Sequence, residues 1–260
     1  MNTTQFLTTA WVWNPLALGC AGAVLAGYFR RFGWNGRAWW MVAAVLIFIL
    51  TLSSPLATLA GGYLFSAHML QHILLVLAVP AFALMALPKT AQIPHWLARL
   101  LNPAVCWACG VGAMWIWHAP ALCDAAATSR PVSAVQTFTL LLLGGAFWWQ
   151  LLAPRESDRI APLRAVVYLF AACAACTVLG IILTFSPVTV CRAYLHPVDS
   201  LGLLPMIYGA WGMTPPRDQQ VGGLIMWVPM CLVYLCAIFG QLARWYAVPA
   251  GPALQTPQFP

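Results

Sequence analysis

Charge is scarce in this chain. Charged residues make up 7% of it, where a soluble globular domain carries about a quarter. With 62% of residues hydrophobic, no water-soluble fold of this length hides its apolar surface, so a soluble enzyme and a soluble binding module are both excluded. Acidic residues are the rarer sign, five against twelve Lys plus Arg. The resulting +7 would suggest nucleic acid on a soluble chain. Here the basic residues fall between apolar runs, as inward-facing membrane loops require, and no nucleic-acid role follows. No Lys or Arg precedes the first apolar part of MNTTQFLTTAWVWNP, so a retained span is expected there rather than a signal peptide. Paired intramembrane acids and interrupted half-helices are not evident in the pattern, which speaks against a transporter.

What is there is apolar sequence in long runs. Seven stretches emerge, over 13–29, 38–56, 63–87, 104–118, 132–152, 163–185 and 221–248. Such runs satisfy their backbone in lipid as helices, and about 20 residues at 1.5 Å rise cross the hydrocarbon layer. The expectation is an all-α polytopic bundle of seven spans, a single transmembrane domain over 1–260 embedded in the lipid bilayer. Nine basic residues fall in loops on one side and three, Arg130, Arg192 and Arg217, on the other. That split predicts an outside N-terminus and a cytoplasmic C-terminus. The long outer loop 186–220 holds an apolar segment, 201–211, too short to span; an interfacial helix or a re-entrant lid is expected.

The nine cysteines mostly lie within apolar runs and act as small hydrophobes. Cys106/Cys109 and Cys173/Cys176 mimic CxxC but sit where packing is the simpler reading. Cys123 and Cys191 fall in outer loops and are free to pair or to bind metal.

Polar residues gather at the outer ends of the runs. His68 and His72 stand four apart in HMLQH, one above the other on a helix, and so able to grip a single ion. No glutamate lies between them, which leaves a zincin-type hydrolase unsupported, and no catalytic constellation is evident. His118, before Pro120 and Asp124, offers a third nitrogen. Asp218 opens DQQVGG and is a candidate for orienting an imidazole, completing a shell or capping its own helix. Met69 adds a thioether beside His68, turned about 100° away. Nitrogen with loose sulfur suits copper at least as well as zinc. The competing reading is of amphipathic side chains resting at headgroup level. A b-type heme held by His72 and His118 is a further alternative. His196, in a loop, and His95, on the cytoplasmic side, stand apart from the site. Gln136 and Gln150 are expected to make interhelical hydrogen bonds.

HMLQHILLVLAVPAFALMALP, WIWHAPALCDAA, LLLGGAFWWQLLAP and DQQVGGLIMWVPMCLVYL resemble the CtaG family of cytochrome c oxidase assembly factors, the multi-span type linked to caa3 oxidases. The resemblance runs from the third span to the seventh. It implies a seven-helix protein of the bacterial inner membrane that helps to assemble the copper centre of oxidase subunit I. Subunit I and periplasmic copper chaperones are the implied partners. The family histidine pair falls on His68 and His72, its WH element on Trp117 and His118, and its DQ element on Asp218 and Gln219. Where the family usually shows a second histidine pair this chain has Ser133 and Thr137, and Gln136 stands where a glutamate is common. The implied function is holding or delivering copper without catalytic turnover, through His68, His72 and His118, with Asp218, Asp124 and Met69 as further candidates. A chaperone for subunit I that never touches copper, and a heme-binding membrane oxidoreductase, are the alternatives.

Overall fold

Prolines and short polar side chains start most of the helices. The computed structural model describes residues 3–247, and every regular element among them is helical. In order they are α1 (Thr3–Thr9), α2 (Pro15–Phe32), α3 (Ala38–Ser53), α4 (Pro55–Ala60), α5 (Phe65–Ile73), α6 (Val79–Ala86), α7 (His95–Leu100), α8 (Pro103–Trp117), α9 (Pro120–Thr128), α10 (Arg130–Leu152), α11 (Pro162–Phe185) and α12 (Pro215–Tyr246). Pro15, Pro55, Pro103, Pro120, Pro162 and Pro215 each hold the first helical position. There the missing N–H has no partner to lose and the fixed φ suits the helix. Asn14, Ser54 and Asn102 cap α2, α4 and α8 by accepting from amides of the first turn.

Prolines correct four expectations. Pro55 lies past the end of the second apolar run rather than inside it: α3 stops at Ser53 and α4 starts anew. Pro120 does not merely end the fourth run. It starts α9, which turns 75° from α8, so a broken helix exists where the sequence pattern suggests none. The third run is not a uniform α-helix either. Pro80 lacks the N–H that would bond the Val76 carbonyl, and the helix widens just before it into a π-turn, Leu74–Ala78. The last run starts earlier than expected, at Pro215, which puts Asp218 inside the first turn; its expected end at Val248 lies outside the described residues.

Four helices among the described residues are long and apolar enough to cross a membrane: 65–86 taken through the π-turn, α10, α11 and α12. The bent pair α8 and α9 makes a fifth if counted as one span. α3 is apolar but only 16 residues long, and α2 is diluted by Arg30 and Arg31 in its last turn. The chain is thus an all-α, multi-pass membrane bundle.

Close packing rests on glycine. α12 lies against both α11 and α5, and α10 against α8 and α6. A Cβ on Gly222 would come within 2.6 Å of the Phe65 ring, one on Gly223 within 2.4 Å of Thr184 Oγ1, and one on Gly144 within 2.5 Å of the Val76 carbonyl oxygen. Lacking that atom, α12 wedges between α5 and α11, and α10 seats on the π-turn.

The two ends of the bundle differ. At one end Arg37 donates to the Leu87 carbonyl. Arg159 there is pushed below its ordinary value by burial and then by the charges of Arg244 and Arg37, against the opposing pull of Glu156. At the other end the segment after α11 folds back over the helices. It contains a 3₁₀ turn, Arg192–Tyr194, and a π-turn, Pro205–Ala210. Asp199 accepts from the Leu203 amide at 2.6 Å and the Leu204 amide at 3.2 Å. Leu203, Met206 and Ile207 are buried against Phe6, Tyr63 and Leu64 in a small core of their own. The apolar 201–211 segment is therefore packed on α1 and the α4–α5 junction.

Candidate functional site

α5 carries the histidine pair but has no capping side chain at its own start, Leu64. Its first two amides are instead capped from α12. Phe65 N–H donates to Asp218 Oδ2 at 2.6 Å and Ser66 N–H to Oδ1 at 3.0 Å. Thr214 holds the N-cap position of α12 without a side-chain cap bond, and Asp218 caps a helix 153 residues away in sequence rather than its own. Next to it, Gln219 accepts from Val190 N–H and donates to the Val188 carbonyl, tying down the returning loop. With Gly222 and Gly223 making room, DQQVGG is a clamp that fixes where α5 begins.

That fixes the histidines. His68 and His72 have ring centroids 4.4 Å apart, and His72 and His118 stand at 5.3 Å. All three are buried, at 5%, 1% and 5% exposure, which rules out rings resting at a headgroup surface. Gln71, between them in sequence, faces the other way and donates to the Thr51 carbonyl of α3 at 2.6 Å. His118 sits at the α8–α9 break, with its Nδ1 against the Met114 carbonyl. A carbonyl only accepts, so Nδ1 carries the proton and Nε2 keeps a lone pair. That Nε2 faces Met69 Sδ at 3.1 Å. His68 Nε2 and both ring nitrogens of His72 are buried without a hydrogen-bond partner.

Gln136 of α10 is a neighbour that the spacing of the histidines does not reveal. It is buried, its carboxamide lies near enough to interact with His72, and its Nε2 has no hydrogen-bond partner. The one available signal is its position where the resemblance places a glutamate. Of the two glutamines expected to bond between helices, Gln150 donates to the Leu101 carbonyl and Cys106 Sγ at the start of α8.

A roof covers the histidines. Cys123 and Cys191 form a disulfide, and Asp124 accepts from Ala193 N–H at 2.9 Å. These two links hold the 3₁₀ turn so that the Tyr194 ring lies 5.8 Å from both Phe65 and His68. The Tyr194 hydroxyl donates to the Ala60 carbonyl at 2.6 Å; burial, then the charge of Asp218, pushes it above its ordinary value. Asp124 and Asp218 are thus both engaged with backbone amides, while Met69 reaches the cluster directly. His196 is exposed on the loop. Cys106 is buried and Cys109 exposed, and Cys173 meets Cys231 of α12 rather than Cys176.

Two imidazoles bound to one tetrahedral ion at about 2.0–2.1 Å have centroids about 5 Å apart, and the observed separations bracket that value. The ring nitrogens do not yet point to one centre: among the described residues no group of three or more His, Cys, Asp or Glu side chains stands ready to hold a metal.

The fold and site define a class: a multi-pass helical membrane protein with buried, under-partnered histidines beneath a disulfide-held roof. Residues 23–247 match the family described as cytochrome c oxidase caa3 assembly factor, and the chain belongs to that family. It is also 25% identical, over 94% of its own length, to uncharacterized protein ML1998 of Mycobacterium leprae. The chain spans about 40% of that relative's length. No solved structure matches.

Proposed function

We propose that this protein holds copper for the copper centre of subunit I of a heme–copper oxidase, at an outward-facing site made by His68, His72 and His118. The observation that carries the reading is the set of three buried imidazole nitrogens without partners on His68 and His72. A buried polar atom left unpaired costs roughly 1–3 kcal/mol, and native proteins leave few of them. A cation bound by one nitrogen of each ring offsets the lone pairs on His68 and His72 together, and the remaining His72 N–H is left to Gln136. The role is binding and hand-over, without turnover. Transfer to subunit I requires ligand exchange, so a labile shell suits the role. A periplasmic copper chaperone is the natural donor.

Features of the two ends support an orientation. Arg37, Arg159 and Arg244 share the end away from the histidines, as a cytoplasmic face does. The disulfide lies at the histidine end, and disulfides persist in oxidising compartments. With α2, α3, the 65–86 helix, α8, α10, α11 and α12 each crossing once, the N-terminus is outside and the C-terminus cytoplasmic in a bacterial inner membrane.

Metal analysis of purified, copper-loaded protein tests the reading. Wild type is expected to retain about one copper per chain, and the His68→Ala/His72→Ala double variant to lose it. Equal retention by both would falsify the copper site and leave a metal-free chaperone for subunit I. A Soret band in the purified protein would instead identify the heme-binding alternative.

A further inference from the structure

We infer that Met69 is a ligand of the same site and that its thioether makes the site selective for monovalent copper. The inference rests on the copper reading above and adds the sulfur and the charge state.

Met69 is 0% exposed although it lies on a membrane helix. Its side chain is held between α12 and α8: a Cβ on Gly222 would stand 3.2 Å from its Cγ, and its Sδ is 3.1 Å from His118 Nε2. The proton of His118 is committed to the Met114 carbonyl through Nδ1. The atoms that face each other are then two lone-pair donors with no hydrogen between them. A thioether only accepts, weakly, so no tautomer of His118 that keeps the Met114 bond gives this contact a proton. A soft cation bound by both atoms resolves it.

Charge selects the ion. Imidazole and thioether are neutral. The two nearby carboxylates, Asp218 and Asp124, are taken by the amides of Phe65, Ser66 and Ala193 and so do not join the donor set. The cost of burying an ion grows with the square of its charge, so a neutral donor set in a buried site favours a monovalent ion over a divalent one. Thioether sulfur favours cuprous copper on softness as well.

The test uses the full chain in lipid nanodiscs, as wild type, Met69→Leu and His68→Ala/His72→Ala. Leucine keeps the volume and removes only the sulfur. Cuprous affinity is read anaerobically by competition with a chromophoric chelator, zinc affinity by competition with a zinc indicator, and the donor set by copper X-ray absorption at one equivalent. Met69→Leu is expected to weaken cuprous binding at least about tenfold, to leave zinc binding within a few-fold, and to lose the sulfur scatterer seen in wild type. Unchanged cuprous affinity, or a sulfur signal that survives in Met69→Leu, overturns Met69 as a ligand while the histidine site stands. Parallel weakening of cuprous and zinc binding overturns selectivity and makes Met69 a packing residue. Copper held equally by wild type and the double histidine variant removes the underlying site itself.

Discussion

Both carboxylate oxygens of Asp218 are used by α5 amides, so truncation leaves two buried donors at the start of the helix that carries His68. Asp218→Ala is expected to lower stability by roughly 1–3 kcal/mol, read as a lower Tm in detergent, and to weaken copper retention indirectly. Asp218→Asn keeps one acceptor oxygen and is expected to recover part of both. If Asp218 were a ligand instead, the alanine variant would lose copper with no change in Tm. Gln136 gives a second test at this scale. It is a buried neutral amide beside His72, so Gln136→Glu places a negative charge at an otherwise neutral cluster. Divalent ions are then expected to bind more tightly, by about tenfold or more, with zinc retention as the readout. Unchanged zinc retention would mean that the side chain does not address the site.

Between elements, contact depends on which of two adjacent glycines faces the neighbour. A Cβ on Gly144 would meet the Val76 carbonyl oxygen at 2.5 Å, while one on Gly145 would meet nothing within 4 Å. Gly144→Ala is expected to cost about 1–3 kcal/mol by overpacking and Gly145→Ala close to nothing, a contrast that thermal melts of the two variants check. The apolar runs, the helical class and the histidine pair were legible in the sequence because each depends on local composition or on i, i+4 spacing. The breaks were less so. Pro55 and Pro120 end one helix and start the next, and a proline in a string of letters does not say which job it has. Asp218 was harder still. A carboxylate near a helix start looks like that helix's own cap, and nothing local reports that the uncapped amides are those of Phe65 and Ser66. Gln136 is similar: that its neighbour is His72 is defined only once the helices are packed.

At the scale of the whole molecule, the roof and the orientation are one question. The Cys123–Cys191 bond closes a separation of 68 residues, for which chain entropy gives about 4.4 kcal/mol. In a membrane the unfolded reference keeps its helices inserted, so the measured loss is expected to be smaller. The larger effect is local, since the bond and the Asp124–Ala193 contact are what hold Tyr194 over His68. In Cys123→Ser/Cys191→Ser the loop 186–200 keeps its Gln219 contacts but loses the tether at its middle. Copper is then expected to exchange faster in both directions at nearly unchanged affinity, because the ligands are untouched and only access changes. Stopped-flow transfer to a chelator, run on wild type with and without a thiol reductant beside the serine variant, reads this directly. Reduced wild type should match the serine variant. In intact cells the same pair should resist alkylation until a reductant is added, as an outward-facing disulfide does. A pair that alkylates freely without reductant would place the histidine end in the cytoplasm and reverse the topology.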